Sequence, residues 1–149
     1  NHYTAARRLR HDDAFSPDAK AGLRPDYCVE TYCKILKKHF PDVPLVIGGI
    51  EASMRRLAHY DYWADKLLPS ILVSSGADLL VWGCGEKAVV EIAKKIARTG
   101  QVPKDVPQTA YKASRDAIPD NEEVIKLHSY HDELRDKKKH AENLTDIHA

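Results

Sequence analysis

The residues with the greatest chemical capacity crowd into one short span. After the apolar run Val43–Ile47 and a turn at Gly48 and Gly49 come Glu51, Ser53, Arg55, Arg56, His59 and Asp61, with Tyr60, Tyr62 and Trp63 among them. Arg55 and Arg56 offer the planar, two-pronged donors that recognise a carboxylate or a phosphate. His59 and Asp61 suit acid–base work, and His59 suits a metal ion. A plainer reading fits the same residues. Glu51, Asp61 and Asp65 can pair with the arginines, and the aromatic rings can pack in a core or an interface.

A second candidate is Gly83-Cys84-Gly85-Glu86-Lys87-Ala88. It matches G-x-G-x-x-A between an apolar run and a helical pattern, where a dinucleotide fingerprint sits. There, backbone N–H groups at the helix start face a pyrophosphate. Glu86 places a negative charge where those phosphates would lie, and no later strand presents an acid about 20 residues on. Glu86 otherwise complements the helix dipole or meets a polar ligand. The ligand-facing candidates are therefore Gly48, Gly49, Glu51, Ser53, Arg55, Arg56, His59, Asp61, Gly83, Gly85 and Glu86. No residue is singled out as catalytic.

No metal site is expected. The histidines stand at 2, 11, 39, 59, 128, 131, 140 and 148, and His128 with His131 lacks the further ligands of a shell. Cys28 and Cys33 are five apart, so they do not share a helical face, and packing thiols are the favoured reading. With Cys84 they make an odd, sparse set, which suggests reduced thiols in a cytoplasmic protein. Neither a nucleophile elbow nor a Walker A loop occurs.

These groups need a frame. A helix is expected from Pro25 to Phe40, with acids early and lysines late. A strand follows at Val43–Ile47, then helical tendency from Ser53 to Leu67, and a short apolar run at Ile71–Val73. A second strand spans Ala77–Trp82. A second helix spans Glu86–Thr99, with Glu91 and Lys95 paired and Gly100 ending it. Helices alternating with nearly all-apolar strands point to a parallel sheet covered on both faces. Residues 1–24 read as an irregular basic arm around Arg7, Arg8 and Arg10, with a short helix near Thr4–Leu9. Residues 25–102 form the α/β unit. Residues 103–149 form an extension, with short strands at Thr109–Tyr111 and Val124–Leu127 pairing with each other. A charged helix over 129–147 completes it, and it needs a neighbour to be stable.

The bulk properties bound the answer. At 149 residues the chain is one domain's worth. Its net charge of +1 offers no electrostatic case for nucleic acid or a membrane surface. No run approaches the roughly 20 apolar residues of a membrane helix, and no secretory signal is visible. The chain starts at Asn1, contains only Met54, and stops within a charged helical pattern. It therefore reads as an internal piece of a longer polypeptide.

The strings NHYTAARRLRHDDAFSP, AGLRPDY, FPDVPLVIGGIEASMRRLAHYDYWADKL and PSILVSSGADLLVWGCGEKAVVEIAKK, with a TAY…LHSY…DK tail, resemble the YgiQ-type radical SAM proteins in the region before their catalytic barrel. The resemblance covers nearly the whole chain. PDVPLVIGG and ADLLVWGCGE are also similar, more loosely, to the cobalamin-binding-like Rossmann domains that precede many such barrels. The resemblance implies a Rossmann-like (cobalamin-binding-domain-like) α/β fold. Its three-layer parallel sheet would be incomplete in this chain and followed by a less regular C-terminal α+β extension. It implies an accessory role, enclosing substrate or positioning the barrel, with the rest of its own polypeptide as partner and an unknown substrate. The parent protein is implied to use a 4Fe–4S cluster and S-adenosylmethionine, the cluster held by a C-x-x-x-C-x-x-C loop. No cluster ligand carries over, because Cys28 and Cys33 are separated by four residues and Cys84 stands alone. The D-x-H-x-x-G loop that would supply a cobalamin ligand is not in this sequence. Two alternatives come from other classes. One is a protein-interaction module docking through the basic arm and the charged C-terminal helix, and the other is a nucleotide-binding Rossmann domain.

Overall fold

The computed structural model describes residues 6, 8–118 and 124–148. Its centre is a strand whose three residues are all buried, β4 (Leu79–Val81). On one side β1 (Val46–Ile47) runs parallel to it, Val46 opposite Leu79 and Ile47 opposite Leu80. On the other side β5 (Thr109–Tyr111) runs antiparallel, Ala110 opposite Leu80. The sheet order is β1-β4-β5.

Side chains alternate across a pleated strand, and this alternation sorts the core. Ile47, Leu80 and Ala110 join one cluster with Cys33 of α1 (Cys28–His39), Ala52 of α2 (Gly49–Met54), and Ile71 and Leu72 of α3 (Ile71–Ser75). Val46, Leu79 and Val81 join the other with Ala88, Ile92 and Ile96 of α4 (Glu86–Thr99) and with Val106. Helices thus cover both faces, which is why these strands are apolar throughout. The result is an α/β arrangement around a small mixed sheet. Among the described residues the parallel sheet expected from the sequence is realised in the β1–β4 pair, and β5 returns antiparallel.

Local chemistry sets the element ends. α4 stops at Gly100, which takes the left-handed conformation (φ 68°) and donates its N–H to Ile96 O. Lys95 pairs with Glu91 at 2.9 Å, as its spacing requires, and also with Asp105 at 2.8 Å. α1 begins at Cys28 and not at Pro25, whose carbonyl accepts from the Cys28 thiol at 3.0 Å. The Asp78 carboxylate joins the start of β1 to α1. It accepts from Leu45 N–H at 2.7 Å and Lys37 Nζ at 2.6 Å. Partial burial opposes its charge, but these donors hold its carboxyl below the usual range.

Other sequence expectations fail. The helix expected over Ser53–Leu67 ends at Met54, and the chain turns into a hairpin of β2 (His59–Asp61) and β3 (Lys66–Leu68). The cause is local. The Asp61 carboxylate accepts from the N–H groups of Trp63 and Ala64 at 3.0 and 2.8 Å, and Asp65 takes φ 52°, so a tight turn replaces a helical one. Residues 124–127 form no strand, and β5 pairs with β4 instead. The expected short helix near Thr4–Leu9 lies largely outside the described residues.

The Asp13–Arg24 ion pair closes the arm before α1. Asp13 accepts from Arg24 Nε and Nη2 at 2.6 and 2.8 Å, and from Ser16 Oγ at 2.9 Å. The Arg24 hydrogen bonds pull its carboxyl down to about 2. At the other end, the single charged helix expected over 129–147 is two helices, α5 (Tyr130–Arg135) and α6 (Lys137–His148). Asp136 breaks them apart in extended backbone, and its carboxylate accepts from Lys138 N–H at 2.9 Å. No helix among the described residues is long and apolar enough to cross a membrane.

Candidate functional site

Because β1 and β4 are parallel neighbours, the loops that follow them emerge at the same end of the sheet. Gly48 leaves β1 extended, and Gly49 opens α2 with φ 80°, a conformation that favours glycine. Gly83 leaves β4 with φ 71°, and Gly85 caps α4 so tightly that a Cβ there would lie 2.9 Å from Val81 Cγ1. The two loops are joined: Gly83 N–H donates to Ser53 Oγ at 3.2 Å. Arg56 bonds Ser53 O at 2.8 Å and lies 5.1 Å above the Trp82 ring. Glu86 is exposed in the first turn of α4. Beside these polar groups stand exposed apolar side chains, Ile50 (85% exposed), Met54 and Trp82.

The remaining candidates sit elsewhere. Arg55 turns away from the loop and bonds Glu51 at 3.1 Å, with Asp61 at 3.5 Å and the Tyr27 ring beneath it at 5.3 Å. Asp61 is 3% exposed. Its Oδ1 takes the two turn N–H groups and the Tyr27 hydroxyl, the latter at 3.3 Å. Its Oδ2 is buried with no hydrogen-bond partner and relies on the Arg55 charge. His59 Nδ1 faces the Leu57 carbonyl at 3.2 Å, so Nδ1 carries the proton and Nε2 is left as a buried, unpartnered acceptor. Burial, reinforced by the Arg55 charge, holds His59 below the usual imidazole range. Burial likewise pushes the Tyr27 phenol up, together with the neighbouring Asp61 charge. A cavity of about 60 Å³ lies here, lined by Tyr27, Arg55, His59, Leu68, Ile71 and Ser74.

The candidate residues therefore fall into two groups. Gly48, Gly49, Ser53, Arg56, Gly83, Gly85 and Glu86 share the strand-end loops. Glu51, Arg55 and Asp61 form an inner ion-pair network that ties the hairpin to α1 and α2, and His59 lies beside it. Tyr27 and Trp82, which sequence reasoning does not single out, hold the two arginines apart. The one available signal was an aromatic residue directly before G-x-G. Among the described residues no group of three His, Cys, Asp or Glu side chains could hold a metal ion. Cys28, Cys33 and Cys84 form no disulfide with one another; the first is half-buried, the second buried and the third exposed.

Sequence comparison places this chain among known proteins. The family described as Radical SAM N-terminal matches residues 1–149. A UPF0313 protein of Porphyromonas gingivalis is 49% identical over 150 residues, covering 99% of this chain and 24% of that protein. One from Bacteroides thetaiotaomicron is 44% identical over 160 residues, covering 99% of this chain and 26% of that protein. One from Thermotoga neapolitana is 46% identical over 144 residues, covering 95% and 25%. The chain thus spans about a quarter of the length of these curated relatives. No solved structure matches. With its whole length matched and its relatives this similar, the chain belongs to the radical SAM N-terminal family.

Proposed function

We propose that this chain is an accessory region of a radical SAM protein, the rear part of a Rossmann-like fold. Its joined strand-end loops face the catalytic barrel and help to position it or to enclose its substrate. One observation carries this reading: the Gly83 N–H to Ser53 Oγ bond, which fixes two glycine loops side by side. They lie next to exposed Ile50, Met54 and Trp82. In parallel α/β sheets that end of the strands is where ligands and partners are met. The cluster and S-adenosylmethionine of such a protein are held elsewhere in the polypeptide, because the three thiols here lack the spacing of a cluster loop. Nothing in this sequence offers the histidine loop of a cobalamin site.

A photo-crosslinking residue in place of Ile50 in the full-length protein tests this. Cross-links into the barrel are expected, and cross-links only to another copy, or none, overturn it. Anaerobic iron–sulfur reconstitution of residues 1–149 should give no absorption band, and a stoichiometric band would count against the reading. A second reading, nucleotide binding, is favoured by the position of Gly83-Cys84-Gly85 between β4 and the start of α4. A calorimetric titration without heat from NAD(H), NADP(H) or S-adenosylmethionine removes it.

A further inference from the structure

Among the described residues, no strand pairs with the edge of β1 away from β4, and one flank of α1 is exposed. Among the described residues, β4 is the one strand beside β1. Leu45 O accepts from Asp78 N–H and Leu79 N–H at 2.9 and 3.3 Å, so Leu45 and Ile47 turn their backbone groups toward β4. Successive residues of a strand turn those groups to opposite edges, so the N–H and C=O of Val46 point outward. Val46 and Ile47 nonetheless pack into the clusters on the two faces, as they would inside a sheet.

α1 shows the matching half of the pattern. Cys33 and Val29 enter the core, and Lys37 reaches Asp78 just before β4. Tyr32 and Leu36 follow each other at i and i+4 on the flank turned away from Lys37, and both are exposed, as are Ile35 and, at the C-cap just past the helix, Phe40. A helix that feeds a parallel strand through a short turn is the second half of a strand–helix–strand unit, and such a helix covers both strands of its unit. Here it covers one. Relatives of this chain are about four times its length, so most of their polypeptide lies outside these residues.

We propose that the β1 edge receives one further parallel strand, from the parent polypeptide before α1 and outside residues 1–149. That strand lies beneath Tyr32 and Leu36 and extends the sheet to at least four strands, with the newcomer next to β1. It is short and apolar on both faces. The proposal rests on reading the chain as one region of a longer protein, but it concerns the opposite side of the unit from the strand-end loops.

The test uses the full-length protein. Hydrogen exchange at the Val46 amide should be slowed at least about 100-fold relative to an unprotected amide, and exchange at the unprotected rate overturns the proposal. In a Cys84→Ser background, Tyr32→Cys and Leu36→Cys should react with a thiol reagent at least about ten times more slowly than Lys94→Cys on the exposed side of α4. Equal rates overturn it. Protection that grows with protein concentration overturns it in favour of a second copy. Val46→Pro should lower Tm more than Val46→Ala, since proline cannot donate to a neighbouring strand but is tolerated on an open edge. If the proline variant does not fold, the wild-type exchange measurement still decides. A failure here with Ile50 cross-linked to the barrel leaves the accessory reading standing, and the reverse result separates the two in the other direction.

Discussion

The sheet and the C-terminal helical hairpin solve the same problem with opposite materials. Around β4 the interior is hydrocarbon: Leu79 and Leu80 are 0% exposed and face the two clusters. Between α5 and α6 the interior is polar. Glu133, 6% exposed, accepts from His140 Nδ1 and from Asn143 Nδ2, the latter at 2.8 Å. Asn143 in turn bonds the backbone of His128 through both ends of its amide, at 2.8 and 3.1 Å. The helices leave Leu134 and Leu144 exposed. An apolar core is non-directional and tolerates adjustment, whereas a polar one works only when every member is satisfied. The difference should appear in how far damage spreads. A hole at Leu80 weakens everything the sheet organises, while a lost partner at Glu133 loosens one hairpin.

Leu80→Ala is therefore the largest expected loss, about 3 kcal/mol in denaturant unfolding, because it removes a fully buried side chain from between strand and helices. Protection should fall across α1, α3 and β1 together. Glu133→Ala should cost about 2 kcal/mol, since Asn143 and His140 lose a buried acceptor. Its effect on hydrogen exchange should stay within residues 128–148. If Glu133→Ala loosens the sheet as well, the two regions are one cooperative unit and the comparison breaks. The contact that would carry such coupling is the Tyr130 hydroxyl, which donates to Leu67 O at 3.3 Å.

The same difference decides what the sequence reveals. β1, β4 and α4 are legible because apolar residues recur at strand or helix period and glycines mark the ends. The adjacency of the two glycine loops is legible as soon as the strands are read as parallel neighbours. The β2–β3 hairpin is not, because one side chain, Asp61, turns the chain by capturing Trp63 and Ala64 N–H. Nor are the opposite fates of Arg55 and Arg56. Adjacent at the end of α2, they part because Tyr27 and Asp61 lie on one side and Trp82 on the other. The Glu133–Asn143 cluster is the least legible of all. Its residues look like a solvated helix face until Asp136 folds the second helix back on the first.

His59 sharpens the comparison by pH, since it is the histidine held below the usual range at the margin of the apolar core. The unfolded chain takes up its proton near pH 6.5, whereas the folded chain does so only at lower pH. Above that value the contribution is fully present, and as pH falls the unfolded state binds more protons and stability is lost. Arg55 discourages the proton there, and Asp61 and Glu30 partly favour it. A His59→Gln variant lacks this loss. The stability difference between wild type and variant should therefore shrink as denaturant midpoints are taken at progressively lower pH below about 6.5. A difference that does not change with pH would mean that His59 takes its proton equally well in both states.

The smallest effects come from a matched pair of helix caps, one in each region. Ser70 Oγ accepts from Leu72 N–H at 3.2 Å and donates to Arg56 O at 2.7 Å, so it joins α3 to the end of the Arg55–Arg56 turn. Ser129 Oγ accepts from Asp132 N–H at 3.2 Å and donates to the Asp132 carboxylate in an exposed loop. Ser70→Ala should cost about 1.5 kcal/mol and Ser129→Ala about 0.5 kcal/mol, near the two ends of the range for capping residues. Losing the Ser70 hydroxyl leaves a half-buried carbonyl without its donor, while water replaces the Ser129 hydroxyl at little cost. Equal losses in urea unfolding would mean that the α5–α6 hairpin is held as firmly as the sheet. Its polar interior would then be as strong as the apolar one.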